Sequence, residues 1–193
     1  MIEYIIIVSA SSLFGLQHSG LSALSVKEKI IDRWGKEGYA RLFNTTSFLT
    51  LLLAFLSMNF WDWLYFVTQP MLIQPALFVF GIIAALGGML LAMMASRVIS
   101  VSTVADMRTD RKAELVTDGI YSRVRHPLYL ATFLIFSALI LLYPFLPVIV
   151  FSLCMISYTM IGAYLEERKL VKHYGDDYLE YRKTTGFIFP KLR

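Results

Sequence analysis

The sequence predicts an all-α integral membrane protein with about five transmembrane helices. Three observations predict it: 57% of the 193 residues are hydrophobic, 15% are aromatic, and the apolar residues gather in long stretches separated by polar segments. A soluble domain usually carries less apolar residue than this. The stretches run over roughly 2–24, 42–60, 73–96, 127–143 and 145–165. Each approaches the roughly 20 residues a helix needs to cross a hydrocarbon core of about 30 Å.

The first stretch carries Glu3 where a signal peptide would be basic, and it has no small-residue cleavage site, so a removable leader is not expected. Ser9, Ser11, Ser12 and Gly15 suit close helix packing. Gln17 and His18, in FGLQHSG, fall toward the inner-leaflet end of this span. Polar groups inside a membrane are costly and by default face an interior. His18 is therefore a candidate for orienting or deprotonating a substrate, although a hydrogen bond between helices is the commoner use of such a residue. The following VKEKIIDRWGKEGYARLF mixes charge with Ile30, Trp34 and Phe43 as a short interfacial helix does. After the second span, Trp61, Trp63, Tyr65 and Phe66 form an aromatic belt at the outer interface. Gly81, Gly87 and Gly88 predict close packing of the third span, and 97–114 is a polar connector.

The fourth and fifth stretches make a hairpin: an arm over 127–143, a YPFLP turn, and a returning arm that ends near Leu165. Residues Glu166 to His173 continue the last helix, Gly175 interrupts it, a second short helix follows, and Thr185-Gly186 begins an extended tail. The chain reads as one domain, with three spans in 1–96 and the hairpin with its tail in 97–193.

All eighteen Lys and Arg residues fall within 27–41, 97–125 and 168–193, which five alternating spans place on one side. The positive-inside rule makes that side cytoplasmic, with the N-terminus outside and the C-terminus inside. The net charge of +4 then reflects topology and anionic headgroups. Nothing interleaves the charges as nucleic-acid binding would. Cys154 is the only cysteine, so a disulfide or cysteine metal site is excluded, and three scattered histidines make a metal centre unexpected.

The run LVTDGIYSRVRHPLYL, residues 115–130, carries most of the chemistry. Pro127 suits the first turn of a helix, whose unpaired amides lie beside Arg125 and His126 and can receive an anion. Arg125 and Tyr129 share a face if the helix extends back that far. The hairpin returns Glu166 and Glu167 to the same membrane surface, where a cation, an amine, ribose hydroxyls or the Arg125 cluster would balance them. An anion-binding helix end and a carboxylate pair together suit a zwitterionic ligand. Headgroup anchoring by Arg123, Arg125 and His126, and surface pairing of the glutamates, are the plainer alternatives.

LVTDGIYSRVRHPLYL, with YLEERKLVKHYGDDYLEYRKTTGFIFPKL after the hairpin, closely resembles the integral-membrane methyltransferases of the isoprenylcysteine carboxyl methyltransferase and phospholipid N-methyltransferase type. The N-terminal GLQHSGLSALSVKEK and YARLFNTTSFLTLL are similar to methanethiol S-methyltransferase and NnrU-type membrane proteins of that superfamily. The resemblance implies S-adenosylmethionine as methyl donor, held on the cytoplasmic side by helices 4 and 5 and the C-terminal tail. It implies that Leu115, Val116, Gly119 and Tyr121 form walls, and that Arg125 and His126, with Pro127, meet the methionyl end. Tyr129 would line the pocket, Glu166 and Glu167 would hold the amino group or ribose, and Tyr178 and Tyr181 would cover the site. Tyrosine faces also suit a sulfonium. Arg125 and His18 are the catalytic candidates.

The acceptor would be a lipophilic or small thiol, carboxylate or amine, and the NnrU-like N-terminus favours a smaller thiol or lipid-like one. The expected setting is a cell or endomembrane bilayer, with no metal and no nucleic acid. An NADPH-dependent oxidoreductase of the sterol-reductase type and a non-catalytic NnrU-like protein are the competing readings.

Overall fold

A computed structural model describes residues 1–98 and 115–191, and most of them are helical. The helices are α1 (Ile2–Ser22), α2 (Leu24–Leu56), the single turn α3 (Tyr65–Thr68), α4 (Pro75–Val98), α5 (Pro127–Leu142), α6 (Leu146–Tyr174) and α7 (Asp176–Thr184). Among the described residues, α1, α2, α4 and α6 are long and apolar enough to cross a membrane. The fourth expected span, α5, has 16 residues. At 1.5 Å per residue it reaches about 24 Å, short of a hydrocarbon core of about 30 Å. Pro127 fixes its start and the Pro144 turn follows its end, so the helix is boxed in at both ends.

The chain forms two compact units. One comprises Met1–Pro75 with Tyr143–Tyr158, the other Ala76–Leu142 with Thr159–Arg193.

In the first unit α1 packs along α2. Gln17 Nε2 donates to Thr46 Oγ1 at 2.7 Å and Thr50 Oγ1 donates to Gln17 Oε1 at 3.0 Å, so the glutamine amide is bonded at both ends. The interfacial helix expected between the first two spans is the opening part of α2. Gly35, at φ 72° and ψ 173°, breaks the helical backbone there, a conformation that glycine adopts without a Cβ penalty. No loop separates that part from the apolar remainder of α2. The expected outer belt is an aromatic cluster: Phe60 lies 4.9 Å from both Trp63 and Phe145, and Trp63 lies 5.1 Å from Tyr143.

In the second unit α4 and α5 approach closely. A Cβ on Gly88 would meet Ile135 at 2.9 Å and one on Gly81 would meet Leu142 at 2.7 Å, whereas Gly87 faces open space. Two of the three glycines thus serve the packing expected of them. Val124, Leu130, Ala163 and Ile188 form the core of this unit, with Leu91, Tyr129 and Phe187 against it. Large apolar side chains elsewhere point outward, among them Ile5, Phe48, Phe80 and Ile83, as a lipid solvent permits. The connector expected at 97–114 lies outside the described residues beyond position 98.

Candidate functional site

Helix α6 runs 29 residues without interruption and so carries Glu166 and Glu167 beyond its apolar part. Gly175, at φ 62°, then turns the chain into α7, and α7 delivers Tyr178, Tyr181 and the tail. The tail lies edge to edge with the segment before α5. The Arg125 amide donates to the Gly186 carbonyl at 2.9 Å, the His126 amide to the Phe187 carbonyl at 3.2 Å, and the Gly186 amide to the Arg123 carbonyl at 3.2 Å. Val124 and Gly186 form a parallel bridge. A Cβ at Gly186 would collide with the Phe189 carbonyl oxygen, which explains a glycine at this crossing.

Arg125 ties these pieces together. Its Nε and Nη2 donate to the two Glu167 oxygens, both at 2.9 Å, in the fork geometry that only arginine offers. Its Nη1 donates to the Thr185 carbonyl, so every guanidinium nitrogen serves a protein acceptor. Tyr178 donates its hydroxyl to Glu167 Oε1 at 2.7 Å, and Tyr181 donates to the Tyr121 carbonyl at 2.5 Å. The Phe187 ring centre lies 5.8 Å from the guanidinium carbon. Burial disfavours the Arg125 charge, but the hydrogen bonds and charge of Glu167 outweigh it and hold the guanidinium above its ordinary pKa. Burial, reinforced by Glu167, pushes the Tyr178 phenol far above its ordinary range, and burial pushes Tyr181 up to about 12.

His126 and Glu166 are differently placed. His126 is 4% exposed, yet its buried Nε2 has no hydrogen-bond partner and stands 3.7 Å from Glu167 Oε1. Its ring meets Tyr129 and Phe187 edge-on at 5.6 and 5.1 Å. Burial holds this imidazole below its ordinary pKa despite the nearby carboxylates, so it is neutral at pH 7. Glu166 is half-buried and accepts the Tyr129 hydroxyl at 2.6 Å. Gly162 makes room for that phenol, since a Cβ there would meet Tyr129 Cε1 at 3.2 Å.

Of the residues singled out in the sequence, Tyr121, Arg125, His126, Pro127, Tyr129, Glu166, Glu167, Tyr178 and Tyr181 all belong to this one cluster region. Leu115 and Val116 are half-buried in the irregular segment leading toward it, and Gly119 is exposed in a left-handed turn at φ 60°. Arg125 and Tyr129 do not share a helix face: α5 begins at Pro127, and the two side chains address different glutamates. His18 belongs to the first unit, where its Nδ1 shares a hydrogen bond with Ser47 Oγ at 3.1 Å. Sequence reasoning missed Thr185, Gly186, Phe187 and Gly162 as individual parts. The aromatic residues spaced along TTGFIFP were the one available hint that the tail packs inward.

The architecture is that of a helical membrane protein whose C-terminal half builds a buried arginine–glutamate centre with a neutral histidine and a second carboxylate beside it. The model of the phospholipid methyltransferase family matches residues 76–177, just over half of the chain, and the chain belongs to that family. The matched stretch contains Arg125, His126, Glu166 and Glu167. The chain is 38% identical over 79 residues to a methanethiol S-methyltransferase of Pseudomonas deceptionensis, covering 40% of this chain and 29% of that protein. It is 34% identical over 94 residues to the protein-S-isoprenylcysteine O-methyltransferase of Schizosaccharomyces pombe, covering 48% of this chain and 40% of the relative. A methanethiol S-methyltransferase of Pseudomonas sp. (strain GM41(2012)) is 34% identical over 86 residues, covering 44% of this chain and 32% of its own length. The aligned region therefore spans less than half the length of each curated relative. No solved structure matches the chain.

Proposed function

We propose that this chain is an S-adenosylmethionine-dependent membrane methyltransferase that acts on a lipophilic or small acceptor from the cytoplasmic side. The observation that carries this reading is the buried His126 Nε2, left without a hydrogen-bond partner 3.7 Å from Glu167 Oε1, in a chain of a methyltransferase family. A buried polar atom with no partner costs about 1–3 kcal/mol unless a ligand satisfies it. The donor set also fits a zwitterionic sulfonium. Glu166, half-buried and bonded on one oxygen by Tyr129, suits an ammonium; the neutral His126 suits a carboxylate or ribose oxygen; the Tyr121 and Tyr129 rings suit the sulfonium.

When bound, S-adenosylmethionine supplies a methyl group already activated on a sulfonium. The protein's task is then to hold donor and acceptor in line and to exclude water. Arg125 and Glu167 contribute by fixing the tail against the Arg123–His126 segment, since their polar groups are spent on each other and on Tyr178 and Thr185. They are positioning residues in this reading, and Glu166, His126 and Tyr129 face the ligand. The printed names of the relatives suggest a thiol or a prenylcysteine carboxylate as acceptor. The orientation, N-terminus outside and C-terminus inside, follows from the grouping of all Lys and Arg residues.

Purified full-length protein in lipid nanodiscs, given methyl-labelled S-adenosylmethionine with dodecanethiol, an S-farnesylcysteine derivative or phosphatidylethanolamine, tests the proposal. Label should pass to at least one of them. Failure to bind S-adenosylmethionine, or binding of NADPH in its place, would sink it.

A further inference from the structure

The His126 nitrogen that faces the ligand in the reading above is shut off in this structure. The residue is 4% exposed, and Nε2 itself is buried with no hydrogen-bond partner. A molecule that is to meet this atom must first displace what covers it. The groups packed around the imidazole all belong to the second unit, and they differ in what holds them. Glu167 is fixed by both prongs of Arg125 and by the Tyr178 hydroxyl. Tyr129 lies edge-on at 5.6 Å, and its hydroxyl is tied to Glu166 at 2.6 Å. Phe187 lies edge-on at 5.1 Å and is half-buried. Its phenyl ring has no hydrogen bond to break.

The main chain beneath that ring is fixed on both sides. The Phe187 carbonyl accepts the His126 amide at 3.2 Å, and Gly186 before it is bonded through both its amide and its carbonyl. Thr185 is gripped by Arg125, and Ile188 is buried in the core. The ring is thus a movable arm on an immobile base. It packs against the core cluster and stands 5.8 Å from the Arg125 guanidinium carbon, contacts that rotation about χ1 can give up without unpairing the tail. Phe189, two residues on, is 56% exposed and meets Phe133 edge-on at 5.6 Å instead.

We propose that the Phe187 side chain is a gate over His126, which swings about its own χ1 to admit the methyl donor and returns to close the site while the tail's main chain stays paired. The need to open rests on the burial of Nε2 alone, and only the identity of what passes rests on the donor-site reading. A ring that is shut both before and after binding slows arrival and departure by the same factor. The gate therefore sets rates and leaves affinity nearly unchanged. Once returned, it also keeps water from the donor.

Two measurements on the full chain in nanodiscs test the gate. Diethyl pyrocarbonate acylates a neutral imidazole nitrogen, and mass spectrometry assigns the product to His18, His126 or His173. With no cofactor present, Phe187→Ala should speed acylation of His126, whereas Phe189→Ala should leave it at the parent rate. In stopped flow, Phe187→Ala should raise the association and dissociation rates of S-adenosylhomocysteine together. Each acceleration should be about tenfold, within the about one to three decades that on-rates span among variants of one site, with Kd kept within about threefold. Loss of packing alone would speed dissociation and leave association as it was. Unchanged acylation of His126 in Phe187→Ala overturns the gate, and so does equal acceleration by Phe189→Ala, since the whole tail would then be moving. Faster acylation in a protein that binds no S-adenosylhomocysteine supports the gate and refutes the donor reading. S-adenosylhomocysteine binding at parent rates in Phe187→Ala does the reverse.

Discussion

Arg125 and Glu167, 42 positions apart in sequence, meet in a two-pronged ion pair with both N···O distances at 2.9 Å, each residue only 9% exposed. The pair joins the segment before α5 to the end of α6, and through Thr185 it fastens the tail. Its stability effect should therefore be asymmetric. Arg125→Met or Glu167→Leu alone strands a buried charge and should cost about 3–5 kcal/mol, whereas the double replacement should recover much of that loss. Thermal melting of the three variants in one detergent checks this. Additive losses in the double variant would show that the two side chains act independently.

The Tyr129–Glu166 contact depends on Gly162, which leaves room for the phenol. Gly162→Ala should push the ring a few tenths of an ångström and misalign its hydrogen bond, and Tyr129→Phe should remove that bond outright. Both should weaken S-adenosylhomocysteine binding by about three- to tenfold with little change in melting temperature. Binding calorimetry on the two variants gives the answer; unchanged affinity in both would remove Tyr129 from the site.

His126 makes a pH-dependent prediction. Burial holds its folded-state pKa below the ordinary value near about 6.5. Between the folded and unfolded values the unfolded chain carries the extra proton, so this residue's contribution is intact above about pH 6.5 and is lost as pH falls below it. The stability advantage of the parent over His126→Asn should therefore shrink between pH 7.5 and pH 5.5. An advantage that grows on acidification would contradict the buried neutral histidine.

Topology can be tested without reference to chemistry. With Cys154 replaced by Ala, a cysteine at Asp62 should react with an impermeant maleimide added outside intact cells, and one at Lys183 should not. Labelling of position 183 alone would invert the orientation.

The helices were legible because apolar runs and charge grouping reflect the bilayer directly, and the hairpin brought Glu167 to Arg125 as its two arms required. The bounds of the fourth apolar element, 127–143, agree to one residue with a helix that ends at Leu142, but the shortfall of its 16 residues against a full span was not read from them. The break at Gly35 was hidden as well: a single residue in a left-handed conformation leaves no periodic signal. At the site, residue types announced the charges and rings, but the tail's pairing rests on one bridge, Val124 with Gly186, and on main-chain carbonyls such as Thr185. Main-chain acceptors have no sequence signature. Nor could spacing reveal that every Arg125 guanidinium nitrogen already serves a protein acceptor, the observation on which the positioning role proposed for it rests.

Titration calorimetry of S-adenosylhomocysteine into the parent protein and Glu166→Gln, both in the same nanodiscs, tests the central claim most directly. The parent should bind one molecule per chain. The variant should lose about 1.5–3 kcal/mol, the worth of one charge-assisted hydrogen bond, which is roughly a 10- to 150-fold weaker affinity. No binding by the parent, or equal affinity in both proteins, would contradict a donor site built on Glu166 beside His126.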